Sequence, residues 1–168
     1  MSTVMKNTLW KLIAVAFIAL ALLFIFSGCA PRDIRFESVA RRFVVSDNQL
    51  ATPQVQLIQR PPSRPISGLA ADDVATLKSI DYSQYWVLLV IYGFGADEQD
   101  NVNSISQQGN VVYVRAEFLP LPDGDQVGSS YEIVRIAKTE TVERGTVTLK
   151  LMDQFGNEKA SLDQTITP

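Results

Sequence analysis

The run Gln84–Gly95, QYWVLLVIYGFG, constrains the fold more than any other stretch of the 168 residues. It is apolar at nearly every position, rich in β-branched and aromatic side chains, and closed by Gly93 and Gly95. In an extended chain successive side chains alternate between faces. Trp86, Leu88, Val90 and Tyr92 therefore share one face, and Tyr85, Val87, Leu89 and Ile91 the other. A strand that is apolar on both faces must be covered on both, so it belongs at the centre of a sheet.

The rest of the chain after residue 33 reads as further strands. Asn103–Phe118 is a hairpin turning at Gln108-Gly109-Asn110, with Val112, Val114, Ala116 and Phe118 inward and Tyr113, Arg115 and Glu117 outward. Tyr131–Lys138 is another strand. Gly145–Asp153 alternates Val147, Leu149 and Leu151 against Thr146, Thr148 and Lys150, and the turn Gln154–Asn157 leads into a last strand, Glu158–Thr167. Asp33–Val45 and Gln54–Gln59 read as outer strands. The proline-rich Arg60–Pro65 cannot be a paired interior strand, and Leu69–Ile80 has room for one short helix with Val74 and Leu77 at helical spacing. The expected fold is all-β: an antiparallel β-sandwich of about seven or eight strands with at most one short helix, preceded by an N-terminal signal or anchor helix. A domain spanning residues 34–168 buries a core without disulfides, since a chain of that size hides roughly two-thirds of its unfolded surface.

The composition excludes several chemistries. There is no histidine and one cysteine, which removes the commonest general base and any Cys or His metal cage. The two lysines ahead of Cys29, Lys6 and Lys11, face no acid, so the remainder carries all 18 acidic side chains and is net acidic, a poor match for a nucleic-acid backbone. A serine nucleophile would need a lysine base, and Lys138 and Lys150 both fall where strands face solvent. Asp97, Glu98 and Asp100 in one loop and Asp123 and Asp125 in another read as wet loop residues, with calcium as the alternative, although neither loop has the spacing of a known calcium hand. Trp86 and the tyrosines read as core rather than as a ligand cleft. No cofactor is expected, no catalytic residue is assigned and the chain is not read as an enzyme.

The single cysteine is placed informatively. Met1–Lys11 is polar and basic, Leu12–Phe26 is an uninterrupted apolar run, and Ser27-Gly28-Cys29 follows. This is the layout of a secretory signal, too short for a comfortable span of about 20 residues. Small residues ahead of a cysteine resemble the lipobox of bacterial lipoproteins. That resemblance implies cleavage between Gly28 and Cys29 and a diacylglyceryl group on the Cys29 thiol. Residues 1–29 are then a signal peptide or membrane anchor, 30–33 a short tether, and 34–168 the β-sandwich, lipid-anchored at the extracytoplasmic face of a cell membrane. An uncleaved anchor helix over Leu9–Gly28 and a merely buried or accidental cysteine stay open as alternatives. Arg32, Arg35, Arg41 and Arg42 either meet anionic headgroups or decorate one face of an edge strand.

The order SIDYSQYWVLLVIYGFG, NSISQQGNVVYVRAEFLPLP, SSYEIVRIAK resembles the carboxy-terminal domain of the PrcB family of protease-complex subunits. Val112, Val114, Ala116, Phe118, Pro120, Tyr131, Val134, Ile136 and Lys138 fall on that family's pattern, over about Asp81–Lys138. The family's Gly-Gly-Tyr after the first strand is replaced by GADEQDN, and its proline before the tyrosine by Ser130. The resemblance implies a non-catalytic accessory subunit that binds another protein outside the cytoplasm, with the loops Phe94–Asn101 and Leu119–Ser130 as contact candidates. The alternative is a lipoprotein that recognises a small molecule, glycan or calcium through its loops.

Overall fold

The computed structural model describes residues 31–45, 50–95, 99–119, 128–140 and 145–166. Gly28 and Cys29 lie outside these residues, as do Asp97, Glu98, Asp123 and Asp125. The chain divides into two units, Met1–Pro31 and Arg32–Pro168. The second is a β-sandwich, with nine strands and one short helix among its described residues.

The strands are β1 (Arg32–Ile34), β2 (Glu37–Val45), β3 (Gln54–Ile58), β4 (Tyr85–Phe94), β5 (Asn101–Gln108), β6 (Val111–Glu117), β7 (Gly128–Ala137), β8 (Gly145–Met152) and β9 (Glu158–Ile166). Helix α1 (Ala71–Ser79) lies between β3 and β4. One sheet has the order β1-β5-β6-β8-β9 and the other β2-β7-β4-β3. Strand β4 is central, paired with β3 and β7, and both its faces are covered as its composition requires. Trp86, Leu88, Val90 and Tyr92 meet Val112, Val114, Val147, Leu149 and Leu151 between the sheets. Val87, Leu89 and Ile91 face a second cluster with Leu50, Leu77, Tyr131 and Ile133, roofed by α1. Burying side chains such as Leu77 and Leu89 stabilises the fold by about 1.5–3 kcal/mol each. The hairpin turns at Gly109-Asn110, where Gly109 has φ 58°, as a two-residue hairpin loop requires. Gly93, with φ 91°, sits at a register shift in β4, and a Cβ there would fall 2.7 Å from Pro53 Cδ.

Three features depart from expectation. The stretch Asp33–Val45 is two strands, because the chain crosses from one sheet to the other at Arg35-Phe36. The first strand begins at Arg32, inside the expected tether. The pair β6–β8 is parallel, with Val112 beside Leu149 and Val114 beside Leu151, so the sandwich is mixed rather than purely antiparallel. The intervening strand β7 belongs to the other sheet, which makes β6-to-β8 a crossover rather than a hairpin.

Candidate functional site at the loop end

Strand polarity decides which loops share an end of the sandwich. Phe94 is opposite Ser129, and the Gly95 N–H donates to the Gly128 carbonyl at 2.9 Å. Asn101 is opposite Glu117, and Arg115 runs beside Met152 in the parallel pair. The end of β4, the start of β5, the end of β6, the start of β7 and the β8–β9 turn therefore stand together. The end residues of both contact candidates read from the sequence, Phe94, Asn101, Leu119 and Ser130, lie at this loop end. At the other, turn end, Arg32 is opposite Gln107, next to the Gly109-Asn110 turn.

Buried carboxylates hold the loop bases. Asp100, expected in a wet loop, is fully buried and accepts the Leu119 N–H at 2.7 Å, with Ser130 Oγ at 3.5 Å. It ties the two candidate loops together. The loops are accordingly narrower than expected, since Phe94 and Asn101 are strand residues and Gly128–Ser130 are buried in β7. Glu132, also buried, accepts the Tyr92 hydroxyl at 2.9 Å and the Val102 N–H at 2.8 Å, with Arg41 Nη2 at 3.8 Å. Burial first, and then the Glu132 charge, push the Tyr92 hydroxyl far above the ordinary tyrosine range. A buried carboxylate is tolerable only when its oxygens receive hydrogen bonds, and here β5 and β4 supply them. Glu132 is a feature that sequence reading missed. Its signal was its place on the same face of β7 as the buried Val134 and Ile136.

The turn Asp153–Asn157 is pinned in the same way. Asp153 accepts the Phe155 N–H at 3.0 Å, the Asn157 N–H at 2.8 Å and Asn157 Nδ2 at 2.9 Å, and pairs with Lys159 at 3.3 Å. The Asn157 side-chain bond is the largest cause that lowers its carboxyl to about 2, against the opposing effect of burial. The Gln154 side chain makes two hydrogen bonds to the Phe118 backbone, accepting its N–H at 3.1 Å and donating to its carbonyl at 3.0 Å. The Phe118 ring meets Tyr92 edge-on at 5.4 Å. On this hydrogen-bonded turn Phe155 is 81% exposed.

The four arginines divide. Arg42 clasps Asp73 of α1 at 2.7 and 3.2 Å, and Asp73 also accepts the Tyr131 hydroxyl at 2.5 Å. The Arg42 bond, foremost, lowers the Asp73 carboxyl, and burial and Asp73 push the Tyr131 hydroxyl up to about 12. Arg41 stands by Glu132, leaving Arg32 and Arg35 exposed with no ion-pair partner among the described residues. Arg41, Arg42, Phe43 and Gln99 line an open depression beside the loop end.

Chemically this arrangement is a set of hydrogen-bonded supports under the bases of the loops. The donors of the chain itself occupy the buried carboxylates, Lys150 pairs with Glu158 at 2.7 Å, and Lys138 lies 4.2 Å over the Trp86 ring. Trp86, Tyr92 and Tyr131 are core residues. Among the described residues no three acidic or thiol side chains converge as a metal cage would need, and no helix is long and apolar enough to cross a membrane. Comparison with protein-family models, with curated proteins and with solved structures found no match.

Proposed function

We propose that this protein is a non-catalytic accessory module, tethered by lipid on Cys29 at the extracytoplasmic face of a membrane, that binds a protein partner through its loop end. One observation carries the reading. The two candidate loops share an end with the Asp153–Asn157 turn, and buried Asp100 and Glu132 hold their bases still. Fixed loop bases reduce the conformational freedom lost on binding, and an exposed aromatic beside them is a typical anchor. Phe155 is that anchor here, on the turn that Gln154 ties to Phe118 at the base of the second loop. The resemblance of Asp81–Lys138 to the PrcB family points to a protease or another envelope protein as the partner class.

The test is crosslinking and pull-down from membranes, with the intact protein against variants in which 96–98 or 120–127 is replaced by a short Gly-Ser segment. A partner retained by the folded variants at the level of the intact protein would refute the loop end as the contact surface. Hydrolysis of peptide, ester, glycoside or phosphate substrates that is lost on mutating one carboxylate would refute the non-catalytic reading.

A further inference from the structure

The ends of the sandwich differ in charge and in their distance from Cys29. Only Ala30 and Pro31 separate Cys29 from Arg32, and three Cα steps span about 11 Å at most. Arg32 is opposite Gln107, beside the Gly109-Asn110 turn, so the chain joins the domain at the turn end. Strands β5 and β6 then run roughly 25 Å to the loop end, at about 3.3 Å per residue. The tether is shorter than the domain it holds.

Charge complements this geometry. Arg32 and Arg35 are exposed near the turn end without an ion-pair partner among the described residues, and Lys138 at the end of β7 adds a third cation. Asp33 and Glu140 partly offset them, while Glu37 is paired with Arg135 at 2.7 Å. Residues 46–49, 96–98 and 120–127, between strand ends at the loop end, contain Asp47, Asp97, Glu98, Asp123 and Asp125 and no basic residue. Of the cations nearby, Arg41, Arg42 and Lys159 are each offset by a carboxylate, and Arg115 alone of these four is exposed without an ion pair among the described residues. An anionic headgroup layer attracts the first set and repels the second, over a range of about a Debye length, roughly 8–10 Å.

We propose that the turn end of the sandwich is the face that rests on the phospholipid headgroups, and that the loop end is held upright and away from the membrane. This inference rests on the lipid anchor proposed above. It commits the Gln108–Val111 turn, Arg32 and Arg35 to the headgroup layer and keeps Phe155 out of the bilayer.

The experiment uses the full chain, processed and lipid-bearing, in vesicles of phosphatidylethanolamine and phosphatidylglycerol containing headgroup-spin-labelled lipid. Asn110→Cys and Phe155→Cys each carry a fluorophore on the introduced thiol, since the lipid occupies that of Cys29. The expected result is loss of emission at position 110 and none at position 155. Equal loss at both positions, or greater loss at 155, overturns the orientation while leaving the anchor intact. Failure of the unlabelled protein to float with the vesicles overturns the anchor and this inference with it. If Asn110→Cys does not fold, Gln108→Cys, on the other side of the same turn, gives the same readout.

Discussion

The side-chain amide of Gln164, on the edge strand β9, bonds to the backbone of Leu57 as a neighbouring strand would. Its Oε1 accepts the Leu57 N–H at 3.0 Å and its Nε2 donates to the Leu57 carbonyl. Strand β3 is the outer strand of the other sheet, so one side chain closes that side of the sandwich. Gln59 Nε2, donating to the Thr165 carbonyl at 2.7 Å, extends the closure. Unpaired strand edges invite pairing with other chains, and this edge is covered.

Gln164→Ala should therefore destabilise the domain by about 1–3 kcal/mol, two hydrogen bonds at their usual net worth. Denaturant unfolding measures the loss, and amide exchange at Leu57 should accelerate more than at Leu89. Unchanged exchange at Leu57 would show that the bridge does not close the edge in solution.

Leu89→Asp should unfold the protein. Leu89 is almost fully buried in a strand covered on both faces, and an unpaired carboxylate there costs several kcal/mol against a total stability of about 5–15 kcal/mol. Lys150→Ala removes a solvent-screened pair with Glu158 and should change stability little. Circular dichroism and thermal melting separate the two.

Stability should fall in acid below about pH 4. Arg42 depresses Asp73, and Asn157 and its neighbours bring Asp153 to about 2, whereas an unfolded aspartate titrates near 3.9. A depressed native pKa means the unfolded chain binds protons first, so the contribution is complete above the unfolded value near 3.9 and is lost as pH falls through the native pKa, about 2 for Asp153. Asp153→Asn should flatten the slope of unfolding free energy between about pH 4 and pH 2, and Asp73→Asn the slope just below about pH 4. At the alkaline end, Tyr131 at about 12 reverses the sign, and stability should fall as pH rises from about 10.

Loop surgery should respect the buried acids. Replacing 96–98 or 120–127 should leave the melting temperature nearly unchanged and abolish recovery of the partner. Asp100→Ala should destabilise the domain instead, because the Leu119 N–H loses its acceptor. Phe155→Ala, which removes an exposed ring, should leave stability within about 0.5 kcal/mol and weaken partner recovery. Full recovery in that variant would count against Phe155 as the anchor.

Cys29→Ser should block fatty-acid incorporation and leave the precursor uncut. Metabolic labelling that continues unchanged would rule out lipid attachment at this residue.

Local periodicity made much of the fold legible. The two-faced run of β4, the alternation of Val112, Val114 and Ala116, that of Val147, Leu149 and Leu151, and the Val74–Leu77 spacing of α1 each state which side faces inward. Alternation says nothing about which strand lies beside which, so the parallel partnership of β6 and β8 was not visible. Nor was the break at Arg35-Phe36, where no glycine or proline marks the change of sheet. The supports of the loop end were hidden for another reason. Asp100 and Glu132 are acids, expected in water, and only the hydrogen-bond donors that the fold delivers from other strands make their burial tolerable. Convergence of the two loops on one end follows from strand polarity and could be anticipated; the Phe155 turn beside them depended on the parallel pair.

Neither sheet is a contiguous piece of the chain, and this bears on how the domain is made. Glu37 waits for Arg135, 98 residues later, and Leu57 for Gln164, 107 residues later. Closures of that length are slow relative to local ones. A polypeptide delivered amino end first has neither sheet complete until β7 and β9 have emerged. The molecule has no competent half: it must be threaded out nearly whole before it folds, and a cut removing Gln164–Ile166 would reopen the side that formed last.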